Sequence, residues 1–184
     1  MDTKGIAVIF DSRFEDGWRS SMDIMLIATW NGKKGEIYTD LDLSDRVVGA
    51  KVHHISEWNA DNGLFIGHNL HGEFKGSSMD LLQEVKKASA DYFDHEGKQY
   101  NLYDLARWNK CRSIPTELIT NIRRRTAWIK GQHIKVARWA IEDARLCYDL
   151  YQKLEKRGEV KISDALTGKR PTIPISFHKG EEEE

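Results

Sequence analysis

Cysteine is scarce. The 184 residues carry two, Cys111 and Cys147. They form neither a disulfide framework nor a thiolate metal motif, so both are expected to be free thiols in a reducing compartment. Long apolar runs are missing too. The longest, residues 6–10 and 24–29, fall far short of the ~20 residues of a membrane span, which argues against a membrane partner. The start, Met1-Asp2-Thr3-Lys4, lacks the basic and apolar stretches of a signal peptide. A cytoplasmic location is the resulting expectation. Acid is missing from one window: between Leu118 and Ile141 there is no Asp or Glu, while Arg123, Arg124, Arg125, Lys130, Lys135 and Arg138 all fall there.

The rest of the composition is that of a globular chain, 40% hydrophobic and 31% charged. Its length suits one domain, read here as residues 1–180, with residues 181–184 a solvated acidic tail. A net charge of −1 hides an asymmetry. Residues 1–100 hold 17 acids and 11 Lys or Arg, residues 101–184 hold 12 acids and 17.

Along the chain, residues 5–10 and 23–30 read as strands, and Asn31-Gly32 is a hairpin signal. Gly35–Thr39 completes an antiparallel meander. Residues 40–60 are mixed, with room for a short helix or an extra strand. Residues 63–67 form a short apolar strand, expected to be central. Residues 78–90 show helical spacing at Met79, Leu82 and Val85, with Ser78 as cap. A brief strand at 91–94 and a helix at Leu102–Trp108 follow. Pro115 interrupts the next segment. Residues 136–157 are the clearest helix, stopped by Gly158, and a hairpin around Thr167-Gly168 ends the pattern. Strands first, then strand and helix in alternation, indicate an α/β domain with a mixed sheet.

The apolar strand at 63–67 runs directly into "GHNLHGEF". Its polar groups allow three readings: an inert polar loop, a His-rich metal site at His68 and His71, or one arm of a carboxylate–metal centre. Two other acids bear on the third. Asp11 follows the first strand. Asp143 borders the apolar stripe Ala140, Ala144, Cys147, Tyr151 and Leu154 of the long helix. An ionised acid there needs a cationic partner or a metal.

In this order the residues resemble the DEDD superfamily of 3′–5′ exonucleases, which has a ribonuclease H-like fold. "VIFDSRF" is similar to the first motif, Asp-x-Glu at a strand end. "GHNLHGEF" is similar to the second, and "WAIEDARLCYDLY" to the third, Tyr-x-x-x-Asp on a late helix. "YNLYDLARW" resembles the helix before the third motif. The resemblance implies a mixed sheet flanked by helices, with the Asp11 strand beside the Leu64 strand. It implies Asp11, Glu73 and Asp143 as ligands for Mg²⁺ or Mn²⁺, with Trp139 in the position of the catalytic Tyr. His68 and Asn69 would hold the local backbone and nucleic acid. Some such domains stand alone and others adjoin a helicase, so a helicase or polymerase is an expected neighbour.

Three departures alter the chemistry. Arg13 replaces the Glu of the first motif, and residues two apart in a strand share a face. A cation therefore stands where a cation should bind. Glu73 replaces Asp. Trp139 replaces Tyr, and an indole can stack and donate but cannot orient water as a phenol does. The expectation is a domain that binds single-stranded DNA or RNA and has lost most or all of its nuclease activity. One alternative is an active nuclease in which Glu15 or Asp16 supplies the missing ligand. Another is a protein scaffold on the same fold.

The acid-free window adds the expected contacts. Arg124, Lys130 and Lys135 would meet phosphates, as would Arg13, and Trp128 would stack on an unpaired base. The bland alternative is a solvated helix face with Trp128 in the core. Trp18, Trp30, Trp58 and Trp108 are assigned to packing.

Overall fold

The computed structural model describes residues 2–10, 24–59, 63–68, 70, 78–90, 92, 98–111, 114 and 119–177. Asp11, Arg13, Glu15, Asp16, Trp18, Asn69, His71 and Glu73 lie outside them. So do nearly all of the strand expected at 91–94 and the acidic residues 181–184.

The chain opens with the expected meander. β1 (Thr3–Phe10) pairs antiparallel with β2 (Ile24–Trp30), and β2 with β3 (Gly35–Thr39). The β2–β3 turn forms because Asn31 Oδ1 accepts from the amides of Lys33 and Lys34 at 3.0 and 2.9 Å. Gly32 takes the left-handed φ of 90° that this turn requires. The mixed segment after it holds both of the elements for which it had room, a single helical turn α1 (Asp45–Val48) and a strand β4 (Lys51–His53) parallel to β3. β5 (Leu64–Gly67) lies parallel to β1, so the two strands named by the resemblance are neighbours.

The start of the helix read at 78–90 differs from the sequence reading. Residues 78–80 are not helical. They form β6 (Ser78–Asp80), parallel to β5, and α2 (Leu81–Ser89) starts after it. Asp80 is the cap, its Oδ1 accepting from the Leu82 amide at 2.9 Å. Asp and Ser cap about equally well, but Ser78 lies inside the strand, two residues before Asp80. The remaining elements are β7 (Lys98–Gln99), α3 (Leu102–Trp108), α4 (Asn121–Ile129), α5 (His133–Arg157), β8 (Glu159–Lys161), β9 (Ser163–Asp164) and β10 (Thr172–Pro174). β8 and β10 make the closing hairpin, and β9 pairs with β7.

The result is a mixed α/β fold. The main sheet has the order β4-β3-β2-β1-β5-β6, combining an antiparallel meander with parallel strands, and helices flank it, as in a ribonuclease H-like arrangement. No helix among the described residues is long and apolar enough to cross a membrane.

α5 is the organising helix, packed across β1, β2, β3 and β5. Ala137, Ala140 and Ala144 are its buried residues on the meander, and their small side chains let the helix lie close. Leu146, Cys147, Leu150, Tyr151 and Leu154 fill a second core with α2, α3 and the closing hairpin. Each large apolar side chain buried there contributes about 1.5–3 kcal/mol. The closest approach is at Gly5 of β1, where an added Cβ would collide with the carbonyl oxygen of Ala144. That neighbour is backbone and cannot swing aside. Gly5→Ala is therefore expected to cost roughly 1–3 kcal/mol by overpacking, read as a lowered urea midpoint. An unchanged midpoint would show that α5 does not sit on β1 at this depth.

Candidate functional site

Asp143 is the one site acid of the resemblance that lies within the described residues, and its surroundings follow from three helices. α3 is capped by Asn101, whose side chain accepts from the Asp104 amide at 2.9 Å, and it buries Leu102, Tyr103, Leu105 and Ala106. α4 is capped by Thr120, whose hydroxyl accepts from the Arg123 amide at 3.2 Å. Ala127 of α4 is buried, with Arg124 and Trp128 half-buried beside it on the same side of the helix. α5 brings Asp143, buried, between α3 and α4.

Both oxygens of Asp143 are engaged. The Tyr103 hydroxyl donates to Oδ1 at 2.5 Å, and Arg124 Nη2 donates to Oδ2. The same Nη2 donates to the Tyr103 oxygen at 3.0 Å, closing a triangle. The side chains of Arg124 and Asp143 are only 17% and 10% exposed. Burial pushes the Asp143 carboxyl up, while Arg124 and Tyr103 act in the opposite sense. Burial and the neighbouring Asp143 push the Tyr103 hydroxyl up, so it stays a donor. Arg124 Nε is buried and has no acceptor among the described residues.

This geometry bears on the metal that the resemblance implies. A ligand carboxylate must offer free lone pairs to a cation. Asp143 holds the hydroxyl at Oδ1 and the guanidinium at Oδ2, so a metal would have to bind beside a fixed cation, and as placed the residue does not fit one. Among the described residues no group of three or more His, Cys, Asp or Glu is arranged to hold one. Of the two roles open to a buried acid on this helix, cationic partner or metal, the structure supplies the partner. That partner is Arg124, which faces inward.

The other expected residues are distributed as follows. His68, at the end of β5, is partly buried, and its Nε2 donates to the Tyr100 carbonyl at 2.6 Å. Burial lowers its pKa from the ordinary 6.5. A histidine lowered in the fold stabilises it above its unfolded pKa, and that contribution is lost as pH falls through the folded value. Thermal stability is therefore expected to drop as pH falls below about 6.5, and to drop less in His68→Gln. Equal pH profiles for the two proteins would remove His68 as the cause. Trp139 packs against the larger core, with Lys135 Nζ 4.9 Å from its ring centroid. Trp128 is half-buried and tilts against His133 at 4.6 Å. Lys130 and Lys135 are exposed. Trp30, Trp58 and Trp108 pack as expected, beside Arg145, between Tyr38 and Phe65, and under Arg170.

One acid was missed in the sequence. Asp80 is paired in register with Gly67, at the end of the parallel strands β5 and β6. Its Oδ2 accepts from the Leu70 amide at 3.0 Å. Burial raises the Cys147 thiol well above its ordinary value, and the charges of Asp143 and Asp80 act in the same sense. The readable signal was a polar residue opening a helical pattern, which Ser78 also satisfied. Both cysteines are free. No protein-family model matches the chain, and no curated protein is significantly similar to it.

Proposed function

We propose that this chain is a nucleic-acid-binding domain of the exonuclease-like type that does not cleave its ligand through metal ions. The observation carrying the second half is the Arg124–Asp143 pair, which puts a fixed cation on the third-motif carboxylate. Two supports carry the first half. The sheet sets β1 beside β5, the strands that lead into the first two motifs. The acid-free segment presents Lys130 and Lys135 to solvent, with Lys135 over the Trp139 ring. On this reading the domain takes single-stranded DNA or RNA, works in the cytoplasm, and acts beside a helicase or polymerase that exposes the strand. An active nuclease would first have to release Asp143 from Arg124.

Fluorescence anisotropy with a labelled oligonucleotide tests the binding. Single strands are expected to bind more tightly than duplex, with log affinity falling linearly in log salt at about −0.7 per phosphate contact. Lys130→Glu with Lys135→Glu should weaken binding several-fold and flatten that slope. Absence of saturable binding, or an unchanged slope in the double variant, would overturn the proposal. Arg124 is not a useful variant for this purpose, because reversing its charge breaks the buried pair.

A further inference from the structure

The large hydrophobic residues exposed among the described residues are Tyr92, Ile122, Ile129, Ile134 and Leu166. Three of these five belong to α4 and the start of α5. Ile122 is 79% and Ile129 72% exposed. They stand seven residues apart, about two helical turns, and so lie along one line of α4. Arg124, Ala127 and Trp128, the residues that turn toward the body, lie on the opposite side. α4 thus presents apolar side chains outward with no neighbour among the described residues to cover them. Such concentration marks an interaction surface better than scattered exposed residues do.

We propose that this outer face of α4 docks an acidic amphipathic segment of a partner protein. The chain around the two isoleucines has no acid from Leu118 to Ile141, and Lys130 directly follows Ile129. A complementary segment needs an apolar stripe for Ile122 and Ile129 and carboxylates on its flanks. Three other occupants fit less well. Isoleucine has no π-face and no hydrogen-bonding group, so nucleic acid gains nothing from it. A symmetric dimer through α4 would set the same basic surface against itself, because an isologous interface repeats one patch. A membrane surface would favour a presented tryptophan, but Trp128 turns away and tilts against His133.

The test uses the full chain with isoleucine methyl labelling and a synthetic acidic peptide of about 15 residues, four helical turns. The peptide carries Leu at helical spacing and Glu elsewhere. A control peptide has Ser for Leu. Saturable binding is expected, with shifts at the Ile122 and Ile129 methyl groups and none with the control. Ile122→Ser with Ile129→Ser should weaken it roughly ten-fold while leaving thermal stability and oligonucleotide affinity unchanged. The proposal is overturned by no saturable binding, or by binding indifferent to the double variant. It is equally overturned if the isoleucines instead govern binding to phosphatidylserine vesicles, or self-association of the chain in the ultracentrifuge.

Discussion

Arg124→Met is expected to destabilise the fold by roughly 3–5 kcal/mol, the cost of leaving a buried charge without its partner. Asp143 is buried on α5, and Arg124 is the cation that meets it. Removing the guanidinium leaves a carboxylate held by one hydroxyl. Asp143→Asn should cost a similar amount, because it strands the guanidinium, whose Nε already lacks an acceptor among the described residues. At ~2–4 °C per kcal/mol for a chain of this size, the melting temperature should fall by roughly 6–20 °C. Arg124→Met combined with Asp143→Leu should recover most of the loss, since apolar groups of similar size replace a buried pair at little cost. Tyr103→Phe removes two hydrogen bonds to charged groups, the one given to Asp143 and the one accepted from Arg124, at about 1.5–3 kcal/mol each. If both single variants melt within a degree or two of the parent, the pair does not hold α4 to the body.

Part of this arrangement was legible in the sequence. The meander, α3 and the end of α5 are local: a strand-rich run, an Asn-Gly turn, a helical period and a glycine stop each act within a few residues. The same locality explains the misplaced start of α2. A three-residue parallel strand has no period of its own, and Ser78 and Asp80 are both good caps. The adjacency of β1 and β5 came from the resemblance, and the structure has it. What could not be read was the partner of Asp143. Arg123, Arg124 and Arg125 are equivalent as a sequence, and only the face that α4 turns inward selects Arg124. The outward isoleucines were hidden for the same reason: in a helix seen only as sequence they pass for core. Asp11, Arg13, Asn69 and Glu73 keep the standing that the resemblance gives them.

The second large effect concerns metal and cleavage. Phosphodiester hydrolysis by paired divalent ions needs carboxylates concentrated around two cations about 4 Å apart. On the proposed reading Arg13 stands where the resemblance expects a Glu, and the Arg124 guanidinium is paired with Asp143, the carboxylate that the resemblance assigns to the third motif. Guanidinium groups keep their proton at any working pH. Mn²⁺ is therefore expected to leave the melting temperature unchanged. A site occupied at a hundred times its dissociation constant would raise stability by ~2.7 kcal/mol, roughly 5–11 °C. Arg13→Glu alone supplies the acid that the resemblance expects but leaves Arg124 in place, so it should bind Mn²⁺ weakly at best. Arg13→Glu with Arg124→Gln adds one carboxylate and frees that of Asp143 from its guanidinium, and should gain a melting shift that depends on Mn²⁺.

The central claim, binding without cleavage, is met most directly by a time course. The unmodified chain is mixed with 3′-labelled and 5′-labelled single strands in Mg²⁺ and in Mn²⁺, at protein concentrations that shift the strand on a native gel. The account predicts a retarded strand that remains full length throughout. Trimming from the 3′ end, abolished by Asp143→Asn in protein shown to be folded, would contradict it.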